Sequence, residues 1–422
     1  MKMYGTAEAK ERFVLFAVET EDNSDALADS LNELAELVRT AGGEEAGRFT
    51  QKREKAQPTH YFGKGKLDEF KDYIALTGAD AAVCDDELTN TQLGNLEREL
   101  GMRVVDRSTV ILDIFARRAV SAEGKVQVEL AQQRYNLSHL SGIGSELSRL
   151  GGGIGTRGPG EKKLETDRRH IRESIYELER RLEDIKTRRQ VLREKRRKAG
   201  APVAALVGYT NAGKSTLMNA VSGAGVLAED KLFATLDTTT RKIALPNGSE
   251  ILLTDTVGFI RKLPHSLIRA FRATLEEAQY ADILLHVVDA ASPACAMQMR
   301  TVYETLDALD CGGKPVIAVF NKTDLPVARP LPEDKRAAFR VELSAKEGRG
   351  IAALLEAAEE TLKLARRSLR VIIPYESGGI AGKIHGSCEI IKEEHTENGT
   401  YFELYADKEM AGRLERYRCG PR

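Results

Sequence analysis

The sequence predicts a multidomain α/β protein whose central part is a doubly wound, mainly parallel sheet. Short apolar segments alternate with helical patterns between residues 203 and 343, and the same alternation occurs between residues 12 and 107. A helical pattern of about forty residues lies between these two regions. The chain has 422 residues, which is enough for roughly two to four domains.

Composition and charge are those of a soluble protein. Charged residues make up 30% of the chain, and the net charge is -1. The five cysteines lie far apart and have no spacing typical of a zinc site, which favours free thiols in a reducing compartment. The apolar run at residues 13–18 is too short for a signal peptide or a membrane span. We therefore expect a cytoplasmic protein without a membrane span.

Residues 1–107 are predicted to form a small α/β domain with a mainly parallel sheet. Apolar strand-like runs occur at residues 13–18, 81–84 and 104–105, and segments with helical periodicity separate them. The weakest predicted strand lies near residues 47–50, where the apolar pattern almost vanishes.

Residues 108–200 are predicted to form a long αα-hairpin with a glycine-rich loop at residues 150–160. A heptad-like apolar stripe runs through its second helix, and a partner helix from residues 108–150 would cover it. Residues 161–200 carry 15 Lys and Arg against 9 Asp and Glu, a net charge of +6. This charge fits either a solvated helix surface or a surface that binds RNA phosphates.

Residues 201–367 are predicted to form the doubly wound domain, and residues 368–422 a small α+β domain. The strands expected in these two domains are residues 203–207, 251–253, 283–288, 316–320, 340–343, 371–374, 388–391 and 401–405. A hairpin turn is expected at residues 397–399 and a helix at residues 408–417.

The segment Gly208-Tyr-Thr-Asn-Ala-Gly-Lys-Ser215 matches the phosphate-binding pattern G-x-x-x-x-G-K-[ST] and lies between a predicted strand and a predicted helix. Backbone N–H groups would hold the phosphates of a nucleotide, Lys214 would contact the β- and γ-phosphates, and the Ser215 hydroxyl would bind Mg²⁺. The residues expected to contact the nucleotide here are Gly208, Tyr209, Thr210, Asn211, Ala212, Gly213, Lys214, Ser215 and Thr216.

Three further motifs follow predicted strands. In Asp255-Thr-Val-Gly258, the carboxylate can reach the Mg²⁺ shell and Gly258 can approach the γ-phosphate, a catalytic position that it would share with Lys214. In Asn321-Lys-Thr-Asp324, Asp324 can accept hydrogen bonds from guanine N1–H and the exocyclic amine. The third motif is Ser344-Ala-Lys346. The residues expected to contact the nucleotide in these three motifs are Asp255, Thr256, Val257, Gly258, Asn321, Lys322, Thr323, Asp324, Ser344, Ala345 and Lys346. Together they predict GTP and GDP as ligands.

Nearly the whole chain resembles the HflX family, within the translation-factor-related class of P-loop GTPases. The resemblance rests on these motifs, on Leu232-Phe-Ala-Thr-Leu-Asp237, on Gln127-Val-Glu-Leu-Ala131, and on the glycine-rich loop before a charged helix. It implies a monomeric GTPase that binds the large ribosomal subunit, its RNA and proteins, and acts in ribosome splitting, rescue or assembly.

The resemblance also implies that Thr235 is the first-switch threonine, a Mg²⁺ ligand with a catalytic role. The residues alone leave Thr238, Thr239 and Thr240 as alternatives. The nucleotide-contacting residues implied in this segment are Phe233, Ala234, Thr235, Leu236 and Asp237.

Two positions leave the hydrolysis mechanism open. Phe259 follows Gly258 where Ras-like enzymes carry a glutamine that orients water, so it either packs beneath the switch or gates it. Asn211 matches an asparagine that some related GTPases use with K⁺, and it equally fits a role in stabilising the turn.

The segment Gly153-Ile-Gly-Thr-Arg-Gly158 is a literal G-x-G-x-x-G, but it follows a polar segment and precedes a long helix. A dinucleotide site needs a preceding strand, so we predict a loop between helices that reaches RNA, or a simple linker.

The alternative function is a nucleotide-dependent protein switch that acts without ribosomes through residues 1–107.

Overall fold

The computed structural model describes residues 10–150, 159–198, 201–223, 232–233, 236–262, 272–327, 330–365, 367–406 and 408–419. The chain forms two compact units. The first contains residues up to 185 together with the described parts of 229–237 and 260–273, and the second contains the remaining residues. The predicted domain boundaries at residues 107, 200 and 367 stay a prediction.

The first unit contains a four-stranded sheet and six helices within its described residues. Its strands are β1 (Arg12–Glu19), β2 (Glu44–Lys52), β3 (Ala81–Cys84) and β4 (Arg103–Asp106). Its helices are α1 (Leu27–Thr40), α2 (Lys64–Thr77), α3 (Asn90–Leu100), α4 (Arg107–Arg118), α5 (Ala122–Leu150) and α6 (Pro159–Lys198), the last of which continues into the second unit.

The sheet of the first unit is entirely parallel, in the order β2-β1-β3-β4. Residues 13–18 of β1 are buried on both faces because β1 is an inner strand, which explains its continuous apolar run. Strand β2 has a weak apolar pattern because it lies at the edge and pairs only with β1 among the described strands. Phe16, Phe62 and Phe70 pack against one another on one face of the sheet.

A buried ion-pair cluster follows the carboxyl ends of β3 and β4. The Arg107 side chain is 2% exposed and pairs with Asp85 at 2.8 Å and with Glu33. Ser30 also donates a hydrogen bond to Asp85, at 2.7 Å. Burial by itself raises the pKa of the Asp85 carboxyl, but the charges of Arg107 and Lys262 hold that pKa below its usual value. Asp85 is therefore a buried carboxylate that depends on its cationic partners.

Replacing Arg107 with Met is expected to lower the free energy of unfolding of the first unit by about 3 kcal/mol. The substitution leaves the buried Asp85 carboxylate and the half-buried Glu33 carboxylate without this cation. Urea unfolding followed by circular dichroism measures the change. The control is Arg103→Met, which removes an exposed ion pair with Glu11 on the same sheet and should cost at most about 1 kcal/mol. Equal losses in both variants would contradict the account.

Helices α5 and α6 form the predicted antiparallel hairpin. Arg134 contacts Glu179 at 2.6 Å, and Arg168 donates to the carbonyl oxygen of Leu140 at 3.1 Å. Of the predicted apolar stripe, Leu178 is buried, and the other described side chains, at residues 171, 175, 182 and 185, are half-buried. The helix surface is thus only partly covered within the described residues.

Residues 151–158, which contain the G-x-G-x-x-G segment, lie outside the described residues. The segment follows helix α5 and precedes helix α6. A dinucleotide-binding loop requires a strand before it, so the prediction that this motif is not such a loop agrees with the described flanks.

The second unit contains the predicted doubly wound sheet, and the predicted fold class is confirmed. Its strands are β5 (Val203–Gly208), β6 (Thr239–Ala244), β7 (Glu250–Asp255), β8 (Ile283–Asp289), β9 (Val316–Asn321) and β10 (Ala337–Glu342). Its helices are α7 (Lys214–Ser222), α8 (Arg272–Tyr280), α9 (Cys295–Ala308) and α10 (Ile351–Ala365). Helix α8 belongs to this unit from residue 274 onward.

The strand order is β10-β9-β8-β5-β7-β6, and every neighbouring pair is parallel except β6 with β7. Because the order reverses around β5, the carboxyl ends of β5 and β8 form the crevice where such sheets bind ligands. Sequence reasoning did not find β6, and it placed the last strand at residues 340–343 rather than 337–342.

The end of the chain forms a separate antiparallel sheet in the order β11-β13-β12. Its strands are β11 (Arg367–Ile373), β12 (Glu389–Thr396) and β13 (Gly399–Ala406), and its helices are α11 (Gly378–Ser387) and α12 (Lys408–Leu414). The predicted turn before Gly399 joins β12 and β13. The prediction missed α11 because glycines occupy several of its positions.

His286 of β8 is buried without a charge. It is 1% exposed, its ring lies edge-on to Tyr303 at 4.8 Å, and its Nδ1 has no hydrogen-bond partner among the described residues. Burial lowers the pKa of His286 to about 4, and the nearby charge of Asp334 opposes this only in part.

Acid is expected to destabilise the second unit through His286. Below a pH of about 6.5 the unfolded chain protonates this residue while the folded chain does not, so stability falls until the pH reaches about 4. Between pH 7 and pH 5 the free energy of unfolding should fall by about 2 kcal/mol more in the unmodified protein than in His286→Gln. Urea unfolding at both pH values measures this difference, and an equal loss in the two proteins would contradict the assignment.

Candidate functional site

The predicted phosphate loop connects β5 to α7 at the ligand-binding crevice of the second sheet. A Cβ atom on Gly208 would lie 2.2 Å from the carbonyl oxygen of Val287 in β8, so only glycine permits this approach. Gly213 has φ +92°, and a Cβ there would lie 2.3 Å from Nδ2 of Asn321. Asn211 has φ +60°, a conformation that asparagine tolerates better than most residues. The loop therefore needs glycine at positions 208 and 213, and asparagine suits the backbone at position 211.

The Lys214 ammonium lies inside the loop. It donates hydrogen bonds to the carbonyl oxygens of Gly208, at 3.1 Å, and Tyr209, at 2.9 Å. Burial lowers the pKa of Lys214 to about 8, and the negative charge of Asp255 opposes this shift. A phosphate at this position would supply the countercharge that a buried ammonium needs, so the loop suits an anionic ligand.

Ser215 and Asp255 meet at the end of β7. The Ser215 hydroxyl donates to Oδ2 of Asp255 at 2.8 Å, and Asp255 is 2% exposed. Hydroxyl and carboxylate oxygens next to a phosphate loop fit a magnesium ion, which completes its shell with phosphate oxygens and water. Within the part of the chain that the structure describes, no group of three or more His, Cys, Asp or Glu is placed to bind a metal. Thr235, the other predicted ligand, lies outside the described residues.

The segment after Asp255 packs closely against the phosphate loop. Thr256 is buried and donates to the carbonyl oxygen of Leu206 at 2.6 Å. A Cβ on Gly258 would lie 2.7 Å from Cα of Thr210 and 3.0 Å from Nζ of Lys214. Gly258 is therefore a position where the backbone needs close access to the phosphate loop.

Phe259 is 1% exposed and pairs with the phosphate loop through its backbone. Its N–H donates to Gly208 O at 3.1 Å, and its carbonyl oxygen accepts from the Thr210 N–H at 2.7 Å. The ring cannot orient water by hydrogen bonding. Phe259 is therefore buried and bonded to the phosphate loop through its backbone, and whether it packs beneath the switch or gates it stays a prediction.

Asn321 connects three of the predicted loops. Its Nδ2 donates to Ala212 O at 2.9 Å, and its Oδ1 accepts from the Ala345 N–H at 3.0 Å. Asn321 is 3% exposed. One buried amide thus fixes the distance between the phosphate loop and the two loops that are expected to hold the base.

The Asp324 carboxylate lies where the base of the nucleotide is expected to bind. Ser344 donates to Oδ1 of Asp324 at 2.7 Å, and this hydrogen bond lowers the pKa of Asp324 below its usual value. Lys322 contacts Asp289, at the end of β8, at 2.7 Å. An ionised, oriented carboxylate matches the N1–H and amine donors on the edge of guanine. Of the other predicted residues nearby, Thr323 is half-buried and Lys346 is exposed.

Phe233 and Asp237 of the first-switch segment contact residues of the first unit. Phe233 packs edge-on against Phe115 with ring centroids 4.6 Å apart. The Asp237 carboxylate accepts hydrogen bonds from the backbone N–H groups of Val120, at 3.0 Å, and Ser121, at 2.8 Å. Leu236 is buried. Ala234 and Thr235 lie outside the described residues.

Of the alternatives to Thr235, Thr238 is half-buried and directly precedes β6. Thr239 and Thr240 belong to β6, where Thr239 pairs with Asp255 and the Thr240 hydroxyl lies 3.0 Å from that of Thr254.

Sequence reasoning missed Asp289 as the partner of Lys322, although its place at a strand end could have indicated it. It also missed Lys262, whose partners are distant in the sequence.

Three family models match consecutive parts of the chain. The model described as GTP-binding GTPase N-terminal matches residues 28–116, and the model of the GTP-binding GTPase middle region matches residues 118–196. The model described as 50S ribosome-binding GTPase matches residues 203–322. No helix among the described residues has both the length and the apolar character needed to cross a membrane.

The comparisons with individual proteins extend over most of the chain. A solved structure of SsGBP in complex with GDP covers 83% of this chain and 98% of its own, with a TM-score of 0.45 and 24% identity. The GTPase HflX of Lacrimispora saccharolytica is 53% identical over 96% of both chains. The GTPase HflX of Caldanaerobacter subterraneus is 47% identical, covering 97% of this chain and 94% of its own. The sequence similarity therefore spans all the predicted domains.

Proposed function

Because the chain belongs to the HflX family of GTPases, we propose that it is a GTP hydrolase that acts on the large ribosomal subunit in the cytoplasm. The observation that carries the guanine-nucleotide site is Asn321, which joins the phosphate loop to the loop of Ser344 and Ala345 beside Asp324. The surrounding charges suit the same ligand. The buried Lys214 ammonium lies where the phosphates are expected, and the oriented Asp324 carboxylate lies where the base is expected.

In this proposal the phosphate loop binds the α- and β-phosphates through its N–H groups, and Lys214 contacts the β- and γ-phosphates. Ser215 and Thr235 hold Mg²⁺, with the Asp255 carboxylate beside it, and the ion supplies positive charge to the transferring phosphoryl group. Gly258 moves towards the γ-phosphate. Asp324 accepts hydrogen bonds from guanine, and Asn321 and Ser344 hold the base-binding loops in place.

The attacking water needs an orienting group that Phe259 does not supply. Its side chain is apolar, and its backbone N–H and carbonyl are bonded to Gly208 and Thr210. We expect slow hydrolysis by the free protein, with the missing group or rearrangement supplied by a partner, as GTPase-activating proteins do for other GTPases.

The large ribosomal subunit is the proposed partner. The family model that matches residues 203–322 is described as a ribosome-binding GTPase, and residues 161–200 carry a net charge of +6. Among the described residues of α6, Arg172, Arg180, Arg181 and Arg188 are exposed. Exposed cations on a long helix attract RNA phosphates in a salt-dependent manner.

Co-sedimentation with ribosomes tests the partner. We expect the protein to sediment with large subunits when a non-hydrolysable GTP analogue is bound and to remain in the supernatant with GDP. Its absence from the ribosomal fraction in both states would instead favour a nucleotide-dependent protein switch that acts without ribosomes. Substituting Arg180 and Arg181 with Gln should weaken sedimentation and leave GTP binding unchanged.

Potassium is proposed to assist hydrolysis through Asn211, which is exposed in the phosphate loop. A K⁺ ion held there would stand in for an arginine finger, so turnover should be at least about fivefold faster in KCl than in NaCl. Asn211→Ser should remove the difference. Equal rates in the two salts would assign Asn211 to the turn alone, in agreement with its positive φ.

A further inference from the structure

The residue at the end of β8 lies beside the motif that is expected to recognise guanine. Asp289 is the last residue of β8 and is the sheet neighbour of Asn321, the last residue of β9. The Ala290 N–H donates to the carbonyl oxygen of Asn321 at 3.0 Å. The loop that begins at Asp289 therefore has a fixed position next to Asn321-Lys-Thr-Asp324, although none of the nucleotide motifs contains it.

The two oxygens of the Asp289 carboxylate have different partners. Oδ1 accepts a hydrogen bond from the Ala291 N–H at 3.0 Å, a local turn contact that aspartate commonly makes. Oδ2 lies 2.7 Å from the Lys322 ammonium. The first contact orients the carboxylate on its own loop, so that its other oxygen meets the lysine of the neighbouring motif.

Lys322 is held at both ends of its side chain. Its backbone has φ +65°, a left-handed conformation that lysine rarely adopts, and it directly follows the buried Asn321. Its ammonium is held by Asp289, and the side chains of Lys322 and Asp289 are only 24% and 19% exposed. The four-carbon stem between these two points is therefore an apolar surface with little freedom to move.

The ion pair also occupies a cation that lies close in sequence to the base-binding carboxylate. Lys322 precedes Asp324 by two positions. The pKa of Asp324 is lowered chiefly by the Ser344 hydrogen bond and further by two cations of the neighbouring loop, whereas the charge of Lys322 is paired with Asp289. The Asp324 carboxylate thus stays available for the donors of guanine.

We propose that Asp289 is a positioning residue for the guanine base. It holds the Lys322 stem against one face of the base and thereby sets how long the nucleotide stays bound. The ring of guanine has a broad face, and an apolar stem that is already in place covers this face without a further loss of side-chain freedom when the nucleotide binds. This inference rests on the proposed function.

Asp289→Asn tests the positioning. The amide keeps an oxygen for the Ala291 N–H and removes the charge that holds Lys322. We expect GDP to dissociate about tenfold faster, with an unchanged association rate constant, because most changes in a binding site act on dissociation. Stopped-flow fluorescence of the full chain with methylanthraniloyl-labelled GDP measures both rate constants. The control is Asp307→Asn in α9, which removes an exposed ion pair with Arg336 and should leave both unchanged.

A double-mutant cycle shows whether Asp289 acts through Lys322. Lys322→Ala removes the stem and should also speed GDP dissociation by at least about tenfold, and adding Asp289→Asn should cause no further increase. Effects that multiply in the double variant, or normal dissociation from Asp289→Asn, would overturn the positioning role alone.

The fraction of protein that binds separates positioning from support of the fold. A smaller binding fraction of Asp289→Asn with an unchanged dissociation rate would show that Asp289 only supports the fold, which also overturns the positioning role. Absence of GDP binding by the unmodified chain would overturn the proposed function as well.

Discussion

Replacing Asp324 with Asn is expected to lower the affinity for GTP by at least about a hundredfold. The carboxylate is proposed to accept hydrogen bonds from guanine N1–H and from the exocyclic amine, and Ser344 holds it in place at 2.7 Å. An amide can accept only one of these bonds, and its NH₂ group opposes the amine. Loss of charge-assisted hydrogen bonds in a site built for them has a large effect on binding.

The same variant should gain affinity for XTP. Xanthine carries a carbonyl group where guanine carries the amine, so the side-chain NH₂ group introduced by Asp324→Asn can donate to it. Isothermal titration calorimetry with GTP and XTP measures the exchange, and Glu347→Gln, which alters an exposed carboxylate in the neighbouring loop, serves as the control. If Asp324→Asn weakened binding of GTP and XTP equally, Asp324 would not be the residue that recognises the base.

Replacing Lys214 with Met is expected to lower the affinity for GTP by about a thousandfold. The ammonium is the buried cation of the phosphate loop, and its proposed contacts with the β- and γ-phosphates are charge-assisted hydrogen bonds. Methionine has a similar length and no charge. Because burial already lowers the pKa of Lys214 to about 8, removing the cation also removes a desolvation cost.

Stability should therefore change little in Lys214→Met while binding is lost. Calorimetry with GTP and GDP measures the affinities, and urea unfolding measures the stability of the same preparation. Lys242→Met, at an exposed position of β6, is the control. Wild-type affinity in Lys214→Met would contradict the assignment of the phosphate loop, and unfolding of the variant would show that Lys214 instead supports the fold.

The buried strands could be predicted from the sequence, but the edge strand β6 and the glycine-rich helix α11 could not. Strands β5 and β8 are covered on both faces, so their residues form continuous apolar runs. Strand β6 is antiparallel, lies at the edge and buries only Ile243, which leaves no continuous apolar pattern. Helix α11 contains several glycines, which normally argue against a helix.

The nucleotide loops could be identified because each is a short contiguous motif at a strand end. The sequence also placed Asn321 in one of these motifs. It could not show that this residue bonds to Ala212 and Ala345, since those partners lie in other loops. The contacts of Lys262 with Asp85 and Asp86 depend on the fold of distant segments and have no local pattern.

GTP turnover with and without purified large ribosomal subunits tests the central claim most directly. The Phe259 side chain cannot orient water, so hydrolysis should be slow alone and faster on the partner that completes the site. We predict stimulation of at least about tenfold by large subunits, with small subunits as the control. An unchanged rate at saturating large subunits would contradict the assignment of the ribosome as the partner of this GTPase.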